Sequence, residues 1–181
     1  MKTALVTIAE GTEELEAVTV SDVLHRAGVD VTVASVGELK VNCSHGTTII
    51  ADCLIEDCKD KIYDLIVLPG GLSGAENLRD SEVLVEMLKK QKDENRFYAA
   101  ICAAPAVVLQ THGLLAGKTA TCYPGFETDF DKHSGERVVV DGNCITSKGP
   151  GTAMEFSLIL AEKLMGEEVK MTLIEAMIVS K

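Results

Sequence analysis

Cys102 has the clearest means of covalent chemistry in this 181-residue chain. It follows the run Tyr98-Ala99-Ala100-Ile101 and precedes Ala103-Ala104-Pro105, so a strand leads into a thiol, then small residues, then a helix starter. Small neighbours permit the sharp strand-to-helix turn that exposes a nucleophile, the logic of the G-x-S-x-G elbow. A thiol so placed sits at a helix N-terminus, where the positive end of the dipole favours thiolate. The commonest fate of a free cysteine is to act as a small buried hydrophobe. That reading is kept for Cys43, Cys53, Cys58, Cys122 and Cys144. The six thiols make no C-x-x-C pair and no Cys/His cluster at zinc spacing, so no metal is expected.

Two further turns hold polar groups of interest. Glu10-Gly11-Thr12-Glu13-Glu14-Leu15-Glu16 carries four carboxylates and no basic residue. Nucleotide and flavin folds place glycines or hydroxyls here to cradle phosphate, so this turn argues against those ligands. Glu13 and Glu14 read as complements to the helix dipole. Glu16 stands in line with Val20, Val23 and Ala27, a stripe that should face a sheet. A buried carboxyl there would have a raised pKa; a rim carboxylate held by a backbone N–H is the equal alternative. In Pro69-Gly70-Gly71, Gly71 can bring its N–H close to a neighbouring site and, with the N–H of Ala103, form an oxyanion hole. The spacing of Gly70, Gly71 and Gly74 lacks the lysine of a phosphate loop and is read as carrying no ligand. None of His25, His45, His112 and His133 adjoins Cys102 in sequence, and His25 and His133 read as solvated. Tyr123 is the aromatic nearest a strand-end site.

These turns need rigid elements behind them. Strands are predicted at Thr3–Ala9, Val29–Val36, Asp64–Pro69, Phe97–Ile101 and Lys118–Cys122, with helices at Thr12–Gly28, Ser81–Glu94, Pro105–His112 and Thr152–Met165. Asn42–Ile50 reads as a hairpin arm, and Arg137–Asp141 with Cys144–Ser147 as a hairpin about Gly142-Asn143. A further apolar piece runs from Val169 to Val179. Alternating strands and helices predict one α/β domain over 1–181, with a parallel sheet covered on both faces. Sites in such sheets lie at the carboxyl ends of the strands.

Composition narrows the functional classes. Hydrophobic residues make up 46% and charged residues 25%, values of a folded globular chain rather than a disordered one. The run Ala4–Ala9 is too short to span a bilayer and has no leader-type flanks. A cytoplasmic setting with reduced thiols is therefore expected. With 17 basic against 28 acidic residues the net charge is −11, which disfavours nucleic acid and anionic membranes as partners.

Taken together, Glu10–Val18 (EGTEELEAV), Val67–Gly71 (VLPGG), Ala100–Pro105 (AICAAP) and Thr146–Phe156 (TSKGPGTAMEF) resemble the DJ-one/ThiJ/PfpI superfamily, in its DJ-one branch of Parkinsonism-associated deglycase and bacterial YajL type. The resemblance covers essentially the whole chain, and Glu167–Lys181 resembles the extra C-terminal helix of that branch. It implies a flavodoxin-like three-layer α/β sandwich that forms a homodimer across the first helix. It matches Cys102 to the oxidation-sensitive nucleophile and Glu16 to a carboxyl, usually protonated, that hydrogen-bonds the sulfur. Gly71 and Ala103 match the backbone donors around it, and Gly70, His45, Tyr123 and Pro150 fall at the substrate pocket. For Glu16 the resemblance decides in favour of function.

The activities implied are cofactor-independent conversion of methylglyoxal, a small 2-oxoaldehyde, to lactate and release of glyoxal adducts from amines and thiols. The alternative is a non-enzymatic redox sensor or chaperone in which Cys102 is oxidised to sulfinate. A flavin-binding module is the third reading, weakened by the acidic first turn. Protease-type cousins place histidine directly after the cysteine; Ala103 here implies no peptidase activity. The branch often carries histidine where this chain has Tyr123, and arginine where it has His45 and Lys148.

Overall fold

The apolar run Thr3–Ala9 forms β1, buried along nearly all its length on both faces, as a central parallel strand must be. The chain continues through α1 (Glu14–Arg26), β2 (Asp30–Val36), the hairpin β3 (Lys40–Asn42) and β4 (Thr48–Ile50), β5 (Cys53–Leu54), β6 (Leu65–Leu68), α2 (Leu72–Arg79) and α3 (Glu82–Asp93). Then follow β7 (Phe97–Ile101), β8 (Thr119–Ala120), β9 (Lys132–His133), β10 (Val138–Asp141), β11 (Cys144–Ser147), α4 (Ala153–Met165) and α5 (Glu167–Ala176). This computed structural model describes residues 1–179.

Seven strands form one sheet in the order β10-β11-β7-β6-β1-β2-β5, parallel throughout except where β10 meets β11. Within it, β2-β1-β6-β7-β11 follows the doubly wound 2-1-3-4-5 order of flavodoxin-like sheets. Successive strand residues point to opposite faces, so each strand feeds two cores. Val6, Val67 and Ile101 pack under α1 and α4 with Val20, Leu24 and Phe156. Leu5, Ile66, Leu68 and Tyr98 pack on the other face with Leu78, Leu88 and Leu109. The architecture is the expected three-layer sandwich. Among the described residues no helix is long and apolar enough to cross a membrane.

Local hydrogen bonding explains where the predicted boundaries move. Helix α1 begins at Glu14 rather than Thr12, because the Glu13 carboxylate caps it by accepting the Glu16 N–H at 2.8 Å. The predicted strand Lys118–Cys122 shrinks to β8, which pairs with β9 outside the main sheet. Its amides are taken by side chains instead of a ladder: Thr119 N–H donates to Asp141 Oδ2 and Thr121 N–H to Thr146 Oγ1. The segment after Cys102 is helical as expected, but Pro105–Gln110 is wound as a π-helix. Helix α2 was not anticipated; it opens at Gly71, in the glycine-rich stretch read as carrying no ligand. The terminal apolar piece is helix α5, and residues 180 and 181 of that expected segment lie outside the described residues.

Phe156 is fully buried between α4 and the sheet. Phe156→Ala is expected to destabilise the chain by about 3–5 kcal/mol, measured as a lower urea midpoint at unchanged slope.

Candidate functional site

Three loops meet at the carboxyl ends of the adjacent strands β1, β6 and β7, where open parallel sheets place their ligands. Cys102 leaves β7 with φ 65°, a left-handed conformation rare for a side chain with a Cβ. Its N–H donates to the Ser147 carbonyl at 3.0 Å, and its carbonyl accepts the Tyr123 N–H at 2.8 Å. The partly buried sulfur lies where the backbone N–H groups of Gly71 and Ala103 favour its ionised form and the Glu16 carboxyl disfavours it.

Close approach of the three loops depends on glycine. A Cβ on Gly70 would lie 2.5 Å from Cys102 Cβ, 2.9 Å from Glu16 Oε2 and 3.0 Å from Cys102 Sγ. The bare Gly70 backbone instead donates its N–H to Glu16 Oε2 at 2.7 Å, while its carbonyl accepts the Glu13 N–H at 3.0 Å. Gly71 adopts φ 79°, and a Cβ there would meet the Gly11 carbonyl oxygen at 2.3 Å. The β6 and β1 loops are therefore locked backbone to backbone.

Glu16 is fully buried at the site end of the Glu16–Val20–Val23–Ala27 stripe, so the buried alternative holds over the rim alternative. Burial is the main cause that pushes its carboxyl up to about 7; the Gly70 N–H opposes the shift, and the Glu13 charge adds to it. Its second oxygen, Oε1, has no hydrogen-bond partner of good geometry. For Cys102, burial and then the charge of Glu16 raise the thiol to about 12, against the Gly71 and Ala103 N–H groups. The expected thiolate preference from a helix dipole is thus outweighed by desolvation and by a neighbouring carboxylate. Two negative charges cannot share this buried corner. A thiolate here requires a protonated Glu16, which removes the Coulombic penalty and supplies a proton donor.

The remaining predicted residues lie around this centre. Tyr123 joins it through its backbone, and its ring is the nearest neighbour of a Cβ placed on Gly149, at 3.2 Å. Pro150 begins the short turn Pro150–Thr152 directly after that glycine. Lys148 turns away to the Gly135 carbonyl at 2.6 Å. His45 is exposed, with Nδ1 3.6 Å from Glu13 Oε1 and 3.7 Å from Glu14 Oε2, so it sits on the acidic rim rather than at the sulfur. Glu13, Glu14 and His45 bring ligand atoms within 4.8 Å of one another. Those carboxylates are already engaged, however. Although desolvation opposes it, backbone N–H groups, including those of Thr47 and His45, pull Glu14 down to about 2. The cluster acts as a clamp between α1 and the β3–β4 hairpin. Glu13, read from the sequence only as a complement to the helix dipole, caps α1, and Ser147, not singled out there, anchors Cys102; the strand-end rule would have reached Ser147.

Comparison with known proteins adds a second line of evidence. The model of the DJ-1/PfpI family matches residues 2–163. Protein DJ-1 homolog B of Arabidopsis thaliana is 50% identical over 97% of this chain, which spans 41% of that protein. The chain thus covers less than half the length of the Arabidopsis relatives it matches. The Glutathione-independent glyoxalase DJR-1.2 of Caenorhabditis elegans is 36% identical over 99% of this chain and 98% of its own. The solved structure described as Toxoplasma gondii DJ-1, oxidized, superimposes with a TM-score of 0.98 at 43% identity, covering all of both chains.

The raised Glu16 pKa has a consequence for stability. The folded state holds this proton more tightly than the unfolded state, so ionising Glu16 destabilises the fold progressively as pH rises from its ordinary 4.5 through about 7. Glu16→Gln removes the ionisation and keeps an acceptor for the Gly70 N–H. Relative to the parent chain it is expected to gain up to about 3 kcal/mol above neutrality and nothing near pH 4, measured by urea unfolding across that range.

Proposed function

The chain belongs to the DJ-1/PfpI family, and from that premise we propose that it is a cofactor-independent glyoxalase and deglycase acting on methylglyoxal and on glyoxal adducts of amines and thiols. One observation carries this reading: a partly exposed thiol packed beside a fully buried carboxyl, which burial pushes up to about 7. A relative named as a glutathione-independent glyoxalase, similar over nearly the full chain, supports it.

In the proposed reaction the Cys102 thiolate attacks the aldehyde carbon of methylglyoxal, forming a C–S bond while the carbonyl electron pair moves to oxygen. The N–H groups of Gly71 and Ala103, which favour negative charge at the sulfur, stabilise that oxyanion, and protonated Glu16 neutralises it. Glu16, now a carboxylate, removes the proton from the former aldehyde carbon and returns it to the adjacent carbon. The aldehyde carbon is oxidised and the ketone carbon reduced within one molecule, leaving a lactoyl thioester. Water cleaves it to lactate and restores the thiol. A carboxyl that titrates near neutrality suits both the donating and the accepting half of this cycle.

A second reading is supported by a separate observation. One closely similar structure is described as oxidized, and Cys102 is accessible enough to meet peroxide. As a redox sensor, Cys102 would be carried to sulfinate, with protonated Glu16 donating to it. For either role we propose a homodimer built across α1, whose Leu15 and Val18 remain half exposed. Val18→Glu is expected to convert a dimer to a monomer in sedimentation velocity.

Lactate release from methylglyoxal without glutathione tests the enzyme reading. Cys102→Ser and Glu16→Gln should each lower turnover by at least about 100-fold. Glu16→Asp should lose much of it, because the carboxyl retreats by one methylene. Equal, negligible lactate in the parent and both variants would leave the sensor reading in its place.

A further inference from the structure

A second sulfur site lies across the sheet from Cys102, separated from β7 by β6, β1 and β2. Cys53, on the edge strand β5, is held against Ala34 of β2. A single 3₁₀ turn, Ile55–Cys58, then folds the chain back, and Asp57 Oδ2 accepts the Leu54 N–H at 3.3 Å to fix it. The turn sets the Cys53 and Cys58 sulfurs 3.4 Å apart. Among the described residues no other two sulfurs are in hydrogen-bonding contact. Cys53 is partly accessible, whereas Cys58 is fully buried in the core beneath it, with the Tyr63 hydroxyl beside its sulfur.

We propose that Cys53 and Cys58 are an oxidation site of their own, closing to an intramolecular disulfide when the chain meets a peroxide. The division of labour follows from access. Cys53, as thiolate, attacks a peroxide oxygen; the S–O bond forms, the O–O bond breaks, and hydrogen peroxide releases one water. Cys58 then attacks the sulfenic sulfur, forming the S–S bond and expelling the second water. The two thiols lose two electrons and two protons, and the peroxide is reduced to two waters. The sulfurs need to close from 3.4 Å to a bond of about 2.05 Å, a movement within reach of side-chain rotation on a one-turn helix.

The pair and Cys102 respond to peroxide differently for a structural reason. Among the described residues no second sulfur is in hydrogen-bonding contact with Cys102 to intercept its sulfenic acid, so its oxidation can proceed to sulfinate. At Cys53 the resolving thiol is already in contact, so oxidation stops at a bond that thiol reductants reopen. Burial first, and then the adjacent Cys58, push the Cys53 thiol up to about 11, so the reaction calls for sustained peroxide.

The test uses the full chain carrying Cys102→Ser, which removes the competing sulfur. After an hour in millimolar hydrogen peroxide at mildly alkaline pH, intact mass should fall by two hydrogens. The denatured chain should then take up two fewer maleimides, and dithiothreitol should reverse both changes. Adding Cys53→Ala or Cys58→Ala should abolish both. Fragmentation of the oxidised peptide 41–59, which also contains Cys43, places the bridge without relying on the folding of those variants. Unchanged mass, stepwise gain of oxygen instead of loss of hydrogen, or a bridge to Cys43 would each overturn the proposal.

Discussion

Everything at the site depends on holding Cys102 in a backbone conformation that a residue with a Cβ avoids. A left-handed φ at such a residue costs about 1–3 kcal/mol and persists only where the surroundings over-determine it. Here its N–H donates to the Ser147 carbonyl and its carbonyl accepts the Tyr123 N–H, so the peptide groups on both sides are fixed. Gly70 then has to be bare, because any side chain would occupy the space of Cys102 Cβ. Relaxing this one residue would swing the sulfur away from the N–H groups of Gly71 and Ala103 and from Glu16 at once. The strain and the polar constellation are therefore two aspects of one arrangement.

The same crowding sets the electrostatics. Desolvation acts on Cys102 and Glu16 in the same direction, raising both, and the charge of Glu16 further disfavours ionisation of Cys102. The pair accommodates one negative charge at most, and the proton's position decides whether sulfur or carboxyl carries it. Glu13 biases that balance. Its charge, beneath the cap of α1, favours a protonated Glu16, and a protonated Glu16 is what a thiolate requires. A capping residue thus shifts the proton affinity of the carboxyl on the residue whose N–H it caps.

Much of this was legible in the sequence where local pattern and burial coincide. The continuous apolar runs that became β1 and β6, the helical stripe carrying Glu16, and the strand-thiol-small-residue order at Cys102 follow from short-range periodicity. The misreadings arose where long-range partners override local propensity. The Lys118–Cys122 run has the composition of a strand, yet Asp141 and Thr146 side chains take its amides. In the Gly70–Gly74 stretch the sequence suggests the Gly71 N–H, but the steric fit of Gly71 and Gly74 against Gly11 and Thr12 is something no spacing rule reports. His45 follows from likeness to relatives rather than from local pattern, and its contacts with Glu14 come from a hairpin some thirty residues away in sequence. The sign of the Cys102 shift was hidden for a similar reason, since burial depends on every layer packed above the turn.

The three loops that compose the site spring from β7, β6 and β1, the middle strands of the seven-stranded sheet. Interlocked backbones join them, and no flexible tether connects one contributor to another. The sulfur, the carboxyl and the N–H groups are thus held at the ends of buried central strands, the elements that open last in local unfolding. On heating, the Cys102 geometry should accordingly be lost together with the sheet, as one sigmoid.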